Sequence, residues 1–592
     1  MTLISRLRSF KPEVYLRNPL VLPAGLVVFM LVPLVGWDRL PEFDGPRLLA
    51  AGVMFAAGAW WCARGLYRGS RIYLRPALLD VLVLLFYSLY LVSWIVSSNR
   101  AVSSTAVLLE AAFPALYVFC RVVMRDGEGD AREPIVALSG AVTAAALVLA
   151  GWGLLQYFFE FDVPRGVREL FKTYHYPVVA SMDNPNYLSE FLVLALPFSV
   201  SFFTALRRYR LMLVSLVIMG LAVYFTYSRL AWFVLACAML LMIPFSPKRA
   251  RAWLLGSLGA IVLITGAFFA FHFMSGSTQS DRVLNSFTLS RTTPLFERRV
   301  LYATGFSMLG DAGVAGKGPG MFGYRYLEYQ GRYINSVPLD RFQLSHLVDI
   351  DHAHSDLIEI AFDSGMPAAA AFLSMLGAAI YAGVARARRR DHASFIALVP
   401  LIYLPFCLWS FPFYIPFSKI LFIAALALVA SSARPVLGVC VPSRVPAAAL
   451  AAVLAAWGWW GYRYAASDYW SARAAAASEA GGMAAGDLYS RALGYYPWNG
   501  RAYLGRGVLL AARGDPRGVR DLADSMEYIS DPGSYLALAR SLREQGRTAE
   551  ARKWYKKLIY LRPDIRKAVQ EYRELGPGPG DAGGGKPDEN ND

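Results

Sequence analysis

YLSEFLVLALPFSVSFFTALRRYRLMLVSLVIMGLAVYFTYSRLAWFVLACAMLLMIPFSPKRAR, residues 187–251, holds three apolar runs joined by very short connections. The runs cover 187–206, 211–227 and 230–246, and about 20 apolar residues suffice to cross a bilayer. Arg207, Arg208 and Arg210 follow the first run, and Lys248, Arg249 and Arg251 follow the third. Between the second and third, Tyr227-Ser228-Arg229-Leu230 is the whole connection. Lys and Arg are retained on the cytoplasmic side of a membrane. The two basic connections therefore face the cytoplasm, and Arg229 faces the other side.

Outward from this stretch the pattern repeats. Further runs at 19–37, 47–63, 77–97, 104–120, 134–157, 252–272, 366–385, 393–411, 417–433 and 446–462 bring the expected spans to thirteen. The weakest are 47–63 and 417–433, being short or interrupted by Lys419. Every second connection is basic: Arg6/Arg8/Lys11/Arg17, Arg64/Arg68/Arg71/Arg75, Arg121/Arg125 and Arg386/Arg388/Arg389/Arg390 continue the alternation. The composition agrees, with 56% hydrophobic and only 17% charged residues, against roughly 25% charged in a soluble domain. The 14% aromatic content excludes disorder, and five Cys among 592 residues exclude a disulfide-stapled scaffold. The net charge of +16 is mostly a topology signal, so no nucleic-acid partner is expected. No cleavable signal peptide is expected either, because no small-residue cleavage site follows the first run.

The fold class expected is all-α: a polytopic membrane bundle of twelve to thirteen helices followed by a helical repeat domain. N-terminal membrane helices occupy 1–133 and a membrane core occupies 134–462. Outer connections fall near 158–186 and 273–355, soluble helices span 463–575, and a Gly/Pro-rich acidic tail, expected to be disordered, covers 576–592. The stretch SYLALARSLREQGRTAEARKWYKKLIYLRPD (534–564) resembles a tetratricopeptide repeat. Pro497 and Pro563 lie 66 residues apart, close to two 34-residue units, and weaker copies precede it. Three units are about the minimum for a stable stack. Such a stack offers a groove for a protein partner or acceptor, or serves as a spacer or stabilising cap.

Chemistry is expected at the outer face, where His175, His272, His346, His352 and His354, five of the six His, fall. Intramembrane charge is sparse: Asp80, Glu110 and Glu190, with Glu110 expected to pair with an Arg or Trp. No Walker loop, HExxH or Asp-x-Asp appears, so neither a metal nor a cofactor is expected. Asn184 and Asn186 flank Pro185 and form either a pair of substrate amides or a turn with an N-cap. Arg229, in its tight hairpin, suits a phosphate or carboxylate held by a bidentate contact, or headgroup snorkelling. Arg298 and Arg299 begin a helix, and Gly316, Gly318, Pro319 and Gly320 make a turn whose N–H groups can cradle an anion. His352 and His354 precede a short helix with Leu357, Ile358 and Ala361 on one face and Asp356, Glu359 and Asp363 on the other. That helix is expected to lie on the membrane surface.

At these residues, over about 135–430, the chain resembles the bacterial O-antigen ligase and polymerase family of membrane glycosyltransferases. The most specific match is His354-Ser355, nine residues, then Gly365, with Ala368 where the motif has its final Gly. NPNYLSEF (184–191), YSRLAW (227–232), Arg298-x-x-x-Tyr302 and GKGPGMF (316–322) support it, and Arg291-x-x-x-Leu295 is a looser match. No basic residue immediately precedes the Asn-Pro-Asn element, where relatives often carry an Arg. The resemblance implies transfer of a glycan from undecaprenyl diphosphate to an acceptor hydroxyl at the periplasmic face of the inner membrane. His354 would be the base, and Arg229 and Arg298 would hold the leaving diphosphate. Asn184, Asn186, Arg291, Arg299, Gly318, Gly320 and His352 would contact substrate. The acceptor would be lipid A–core for a ligase, a carrier-linked unit for a polymerase, or a protein hydroxyl. The His354-Ser355…Gly365 spacing favours the ligase. A lipid-linked glycan flippase is the alternative of another class, and would line a central cavity with charge.

Overall fold

The computed structural model describes residue 52 and residues 71–576, apart from 75, 126–131, 162–176, 183, 275–292, 340, 345–346, 348–349, 437, 443 and 480–483. The expected spans at 19–37 and 47–63 and the acidic tail lie outside these residues. A two-stranded antiparallel ribbon, β1 (Arg71–Leu74) with β2 (Val439–Pro442), ties the segment before residue 78 to the segment after residue 432. All the other elements among the described residues are helical.

The first half runs α1 (Leu78–Ile95), α2 (Arg100–Glu110), α3 (Ala112–Arg125), α4 (Arg132–Phe159), α5 (Pro185–Ala205), α6 (Tyr209–Phe225), α7 (Arg229–Met242) and α8 (Lys248–Met274). The outer segment adds α9 (Thr293–Asp311), α10 (Met321–Ser336) and α11 (Asp356–Ser364), and the core closes with α12 (Met366–Ala387), α13 (Val399–Trp409) and α14 (Pro416–Ser432). Seven helical segments among the described residues are long and apolar enough to span a bilayer, and α6, α7 and α14 are shorter apolar helices. The expected span at 104–120 is one of the seven, within Arg100–Arg121, and a turn at Ala111 divides it into α2 and α3. Pro114, which has no N–H, cannot donate to the Glu110 carbonyl.

α5 is the centre of the bundle. Asn184 caps it, accepting from the Asn186 N–H at 2.9 Å, with Pro185 pre-set in the first turn. Its apolar window is 89% buried, whereas that of α8 is 17% buried. α4, α6, α7, α13 and α14 surround α5, and α1 and α8 turn residues such as Leu84, Leu263 and Phe271 outward. Apolar side chains facing out are what hydrocarbon surroundings require. Lys419 on α14 is 1% exposed and paired with Glu110, between the rings of Phe113 and Phe413. Tyr87 Oη also donates to Glu110 at 3.1 Å. The partner of Glu110 is therefore a Lys rather than the expected Arg or Trp.

The two ends of the bundle differ in charge. Arg121 holds Asp80 and Ser431, and Arg386 holds Asp391 and Ser432, at one end. The other end gathers the 177–184 segment, the α6–α7 connection, and α9 to α11.

α15 (Arg444–Glu479) leaves β2 at the basic end and continues unbroken for 36 residues, roughly 54 Å. It runs without a break through the expected span at 446–462 and past residue 463, so that segment and the first tail helix form one rod. Trp457 Nε1 on this rod donates to the Leu108 carbonyl at 2.9 Å, so it packs along α2. Beyond it lie α16 (Ala485–Tyr495), α17 (Gly500–Ala512), α18 (Arg517–Ser525), α19 (Pro532–Glu544), α20 (Thr548–Leu561) and α21 (Arg566–Glu574). They pack as consecutive helix pairs, α15 with α16, α17 with α18 and α19 with α20. Gly514 and Gly546, at φ +71° and +75°, turn the second and third pairs.

Candidate functional site

The short α11 organises the end of the bundle that carries the histidines. The expected polar face of a surface helix is instead turned inward. Asp356, Glu359 and Asp363 are each at most 2% exposed. Asp356 accepts from Tyr403 Oη at 2.8 Å and from the Phe413 N–H at 3.2 Å, fixing the 410–415 turn. Glu359 accepts from the Ala353 N–H and meets His352 Nδ1, both at 2.8 Å, fixing the histidine loop. Asp363 accepts from the Gly320 and Phe322 N–H groups, both at 2.7 Å. Burial, then the charge of nearby Glu359, hold the Asp363 carboxyl well above the usual carboxylate range, and the N–H groups of Gly320, Phe322 and Met321 offset only part of this.

Asp363 changes the part played by the glycine turn. Of the N–H groups expected to cradle a substrate anion, that of Gly320 donates to the Asp363 carboxyl and that of Gly318 to the Asp363 backbone carbonyl at 2.9 Å. Gly318 and Gly320 therefore serve the scaffold. Gly316, at φ +78°, lets the turn lie directly against the Asp363 backbone. Gly365, at φ +86°, does the same against the Val314 carbonyl, where a Cβ would collide. Ala368, standing where the motif has its last Gly, is fully buried in the first turn of α12 and fits without strain.

His354 follows on the loop that Glu359 holds. Its backbone is in the left-handed region, at φ +48°, a costly conformation for a non-glycine residue. Tyr302 Oη donates to the His354 carbonyl at 3.1 Å and ties the loop to α9. One turn earlier on α9, Arg298 donates to the Trp409 carbonyl at 3.1 Å. Phe411 lies edge-on to His354 at 4.8 Å and stacks on His352 at 4.7 Å. Tyr187 of α5 meets Phe411 at 5.7 Å, and Ser410 donates to Glu190. The 409–411 turn is thus the pivot on which Arg298, Glu190, His352 and His354 converge. Burial, then the charge of Arg298, then His352 lower the His354 pKa to about 4, so its imidazole is neutral at physiological pH.

The other expected residues spread around this centre. Arg229 is exposed at the start of α7, which packs on α5 and α13, the helices carrying Glu190 and Trp409. Arg299 is exposed beside Arg298. Asn184 spends its side chain as the N-cap of α5, and Asn186 is exposed. Arg291 lies outside the described residues. Sequence reasoning missed Trp409–Phe411 and gave Glu190 no role. The signal was present in WSFPFYIPF (409–417), an aromatic and Pro-rich break after an apolar run.

Residues 214–373 match the family model described as O-Antigen ligase. The chain carries an O-antigen ligase domain. That domain contains Arg229, Arg298, Tyr302, His352, His354 and Gly365, whereas Asn184, Glu190 and the 409–411 turn contribute to the site from outside it. No curated protein matches the chain. The O-antigen ligase domain together with the apolar helices marks a multi-pass inner-membrane glycosyltransferase of the ligase or polymerase type.

Proposed function

We propose that this protein transfers a glycan from undecaprenyl diphosphate to an acceptor hydroxyl, and that the acceptor is lipid A–core. The observation that carries the reading is the Arg298–Tyr302–His354 arrangement: a cation and a neutral imidazole held by one helix at the end of a membrane bundle. His354 takes the proton of the acceptor hydroxyl, the hydroxyl oxygen attacks the anomeric carbon, and the bond from that carbon to the diphosphate breaks. The electron pair leaves with the diphosphate, where Arg298 and Arg229 offset its charge. A bound diphosphate also cancels part of the field that Arg298 exerts on His354. It thereby raises the basicity of the imidazole when a base is needed.

The site faces the periplasm in this proposal, because the basic connections gather at the opposite end of the bundle. Functional charge gathered at one end favours a transferase over a flippase. The tail is a tetratricopeptide-like stack on the same side. Reconstituted protein given a carrier-linked glycan and lipid A–core should form the joined product. In a deletion strain, long glycan should accumulate on the lipid carrier. Surface lipopolysaccharide decorated with single units would instead assign polymerisation.

A further inference from the structure

The tail does not hang free of the membrane core. Tyr324 Oη donates to the Met526 carbonyl at 3.0 Å and Asn335 Nδ2 to the Tyr560 carbonyl at 2.8 Å. Asn99 Nδ2 donates to the Glu527 carbonyl at 2.7 Å. Gly331 on α10 lies against Leu561 of α20, close enough that a Cβ would sit 2.9 Å from the Leu561 side chain. Between α10 and helices α18 to α20 this docking leaves an open cleft of about 500 Å³. A second hollow of about 260 Å³ shares Arg325, Glu328 and Arg332 with it and reaches Lys317 and Phe362.

The wall formed by the tail presents three aromatic side chains, with Lys557 lying 5.3 Å from the rings of Tyr535 and Trp554. Tyr535 and Trp554 have ring centroids 6.0 Å apart, and Tyr560 is 45% exposed beside them. The facing wall is polar and already ordered: Glu328 accepts from Arg325 at 3.2 Å and from Arg332 at 2.6 Å. Glu328 between the two guanidinium groups keeps this wall from being a plain anion site. Aromatic faces opposite planar polar groups suit a pyranose, which has an apolar C–H face and a rim of hydroxyls. The elongated, two-part shape suits several sugars rather than one. Phe362, at the inner end, is near the C-terminus of α11, whose N-terminus adjoins His354, and α11 is only about 13 Å long.

We propose that this cleft binds an oligosaccharide, the distal part of the glycan that is joined at His354. That it is the transferred glycan rests on the glycosyltransferase reading, whereas sugar binding does not. The probe is the set of oligosaccharides released by mild acid from the surface polysaccharide of the source strain. It is titrated into full-length protein in nanodiscs. Wild type should bind it, and Tyr560→Ala and Glu328→Gln should each weaken binding about tenfold. Both substitutions are at solvent-accessible side chains and should leave the melting temperature unchanged. In the transfer assay the same variants should raise KM for the glycan-bearing substrate with little change in kcat. Undiminished binding by both variants overturns the proposal. So does an absence of sugar binding by wild type, including the case where a photo-crosslinker at position 560 captures a polypeptide instead. Sugar binding that depends on Tyr560, with no transfer by wild type, supports the cleft and overturns the transferase reading.

Discussion

His354 combines a left-handed backbone, a tethered carbonyl and an imidazole whose pKa is lowered to about 4. The sign of that shift gives a pH prediction. A His that is harder to protonate when folded contributes stability above about 6.5, and this is lost as pH falls from there towards 4. Activity per free enzyme should follow the same group, so the acid limb of kcat/KM should lie near pH 4. The limb of kcat should lie higher, because bound diphosphate offsets Arg298. In Arg298→Gln the limb of kcat/KM should move up as the Arg298 field is removed. A pH–rate series on the two proteins checks this, and coincident limbs near 6.5 would remove the burial argument. For the cations, Arg229→Lys should lose nearly as much transfer as Arg229→Ala, because a point charge lacks the bidentate geometry. Full activity in Arg229→Ala would reduce that residue to a headgroup anchor. The pair of His and the Arg residues were legible in the sequence as residue types at an outer edge. Glu190 was not given a role, because only the folded turn brings Ser410 to it.

At the scale of elements, α11 shows where pattern reading fails. The alternation of Leu357, Ile358 and Ala361 with Asp356, Glu359 and Asp363 is amphipathic in sequence, yet both faces are covered. Periodicity reports two chemically different faces and cannot say whether the polar one meets water or backbone N–H groups. The same ambiguity hid the use of Gly318 and Gly320, since Asp363 is 43 residues from Gly320 along the chain. Replacing Asp363 by Ala should strip the start of α10 of two hydrogen bonds, each worth about 0.5–1.5 kcal/mol, and leave the Gly320 and Phe322 N–H groups without that partner. The melting temperature should fall, and protection of the α10 amides from hydrogen exchange should fall with it. Unchanged protection in Asp363→Ala would show that the turn holds itself. Lys419→Met leaves Glu110 buried without its ion pair, and should cost about 3–5 kcal/mol. Adding Glu110→Gln should recover much of that loss, which thermal unfolding of the two variants in detergent would measure.

For the whole molecule, the described spans and the charge asymmetry of the bundle were legible because apolar runs and basic connections are long-range signals. The tail was legible as helix pairs from its Gly and Pro spacing. Its docking on α10 was not, because Asn335, Tyr324 and Gly331 carry no mark of a partner more than 200 residues away. Reporter fusions should find the 388–391 connection in the cytoplasm and the chain after Glu574 outside. A cytoplasmic signal after Glu574 would reverse the proposed orientation. The central claim is that a neutral imidazole at position 354 removes the acceptor proton at a site built from both the O-antigen ligase domain and the 409–411 turn. Its most direct test is transfer by purified His354→Ala and His352→Ala in nanodiscs, from a carrier-linked donor to lipid A–core. His354→Ala should stay folded, still bind the donor and lose roughly 10²–10⁴-fold in kcat, while His352→Ala should lose far less. Near-normal turnover by His354→Ala, or an equal loss in both variants, would contradict the claim.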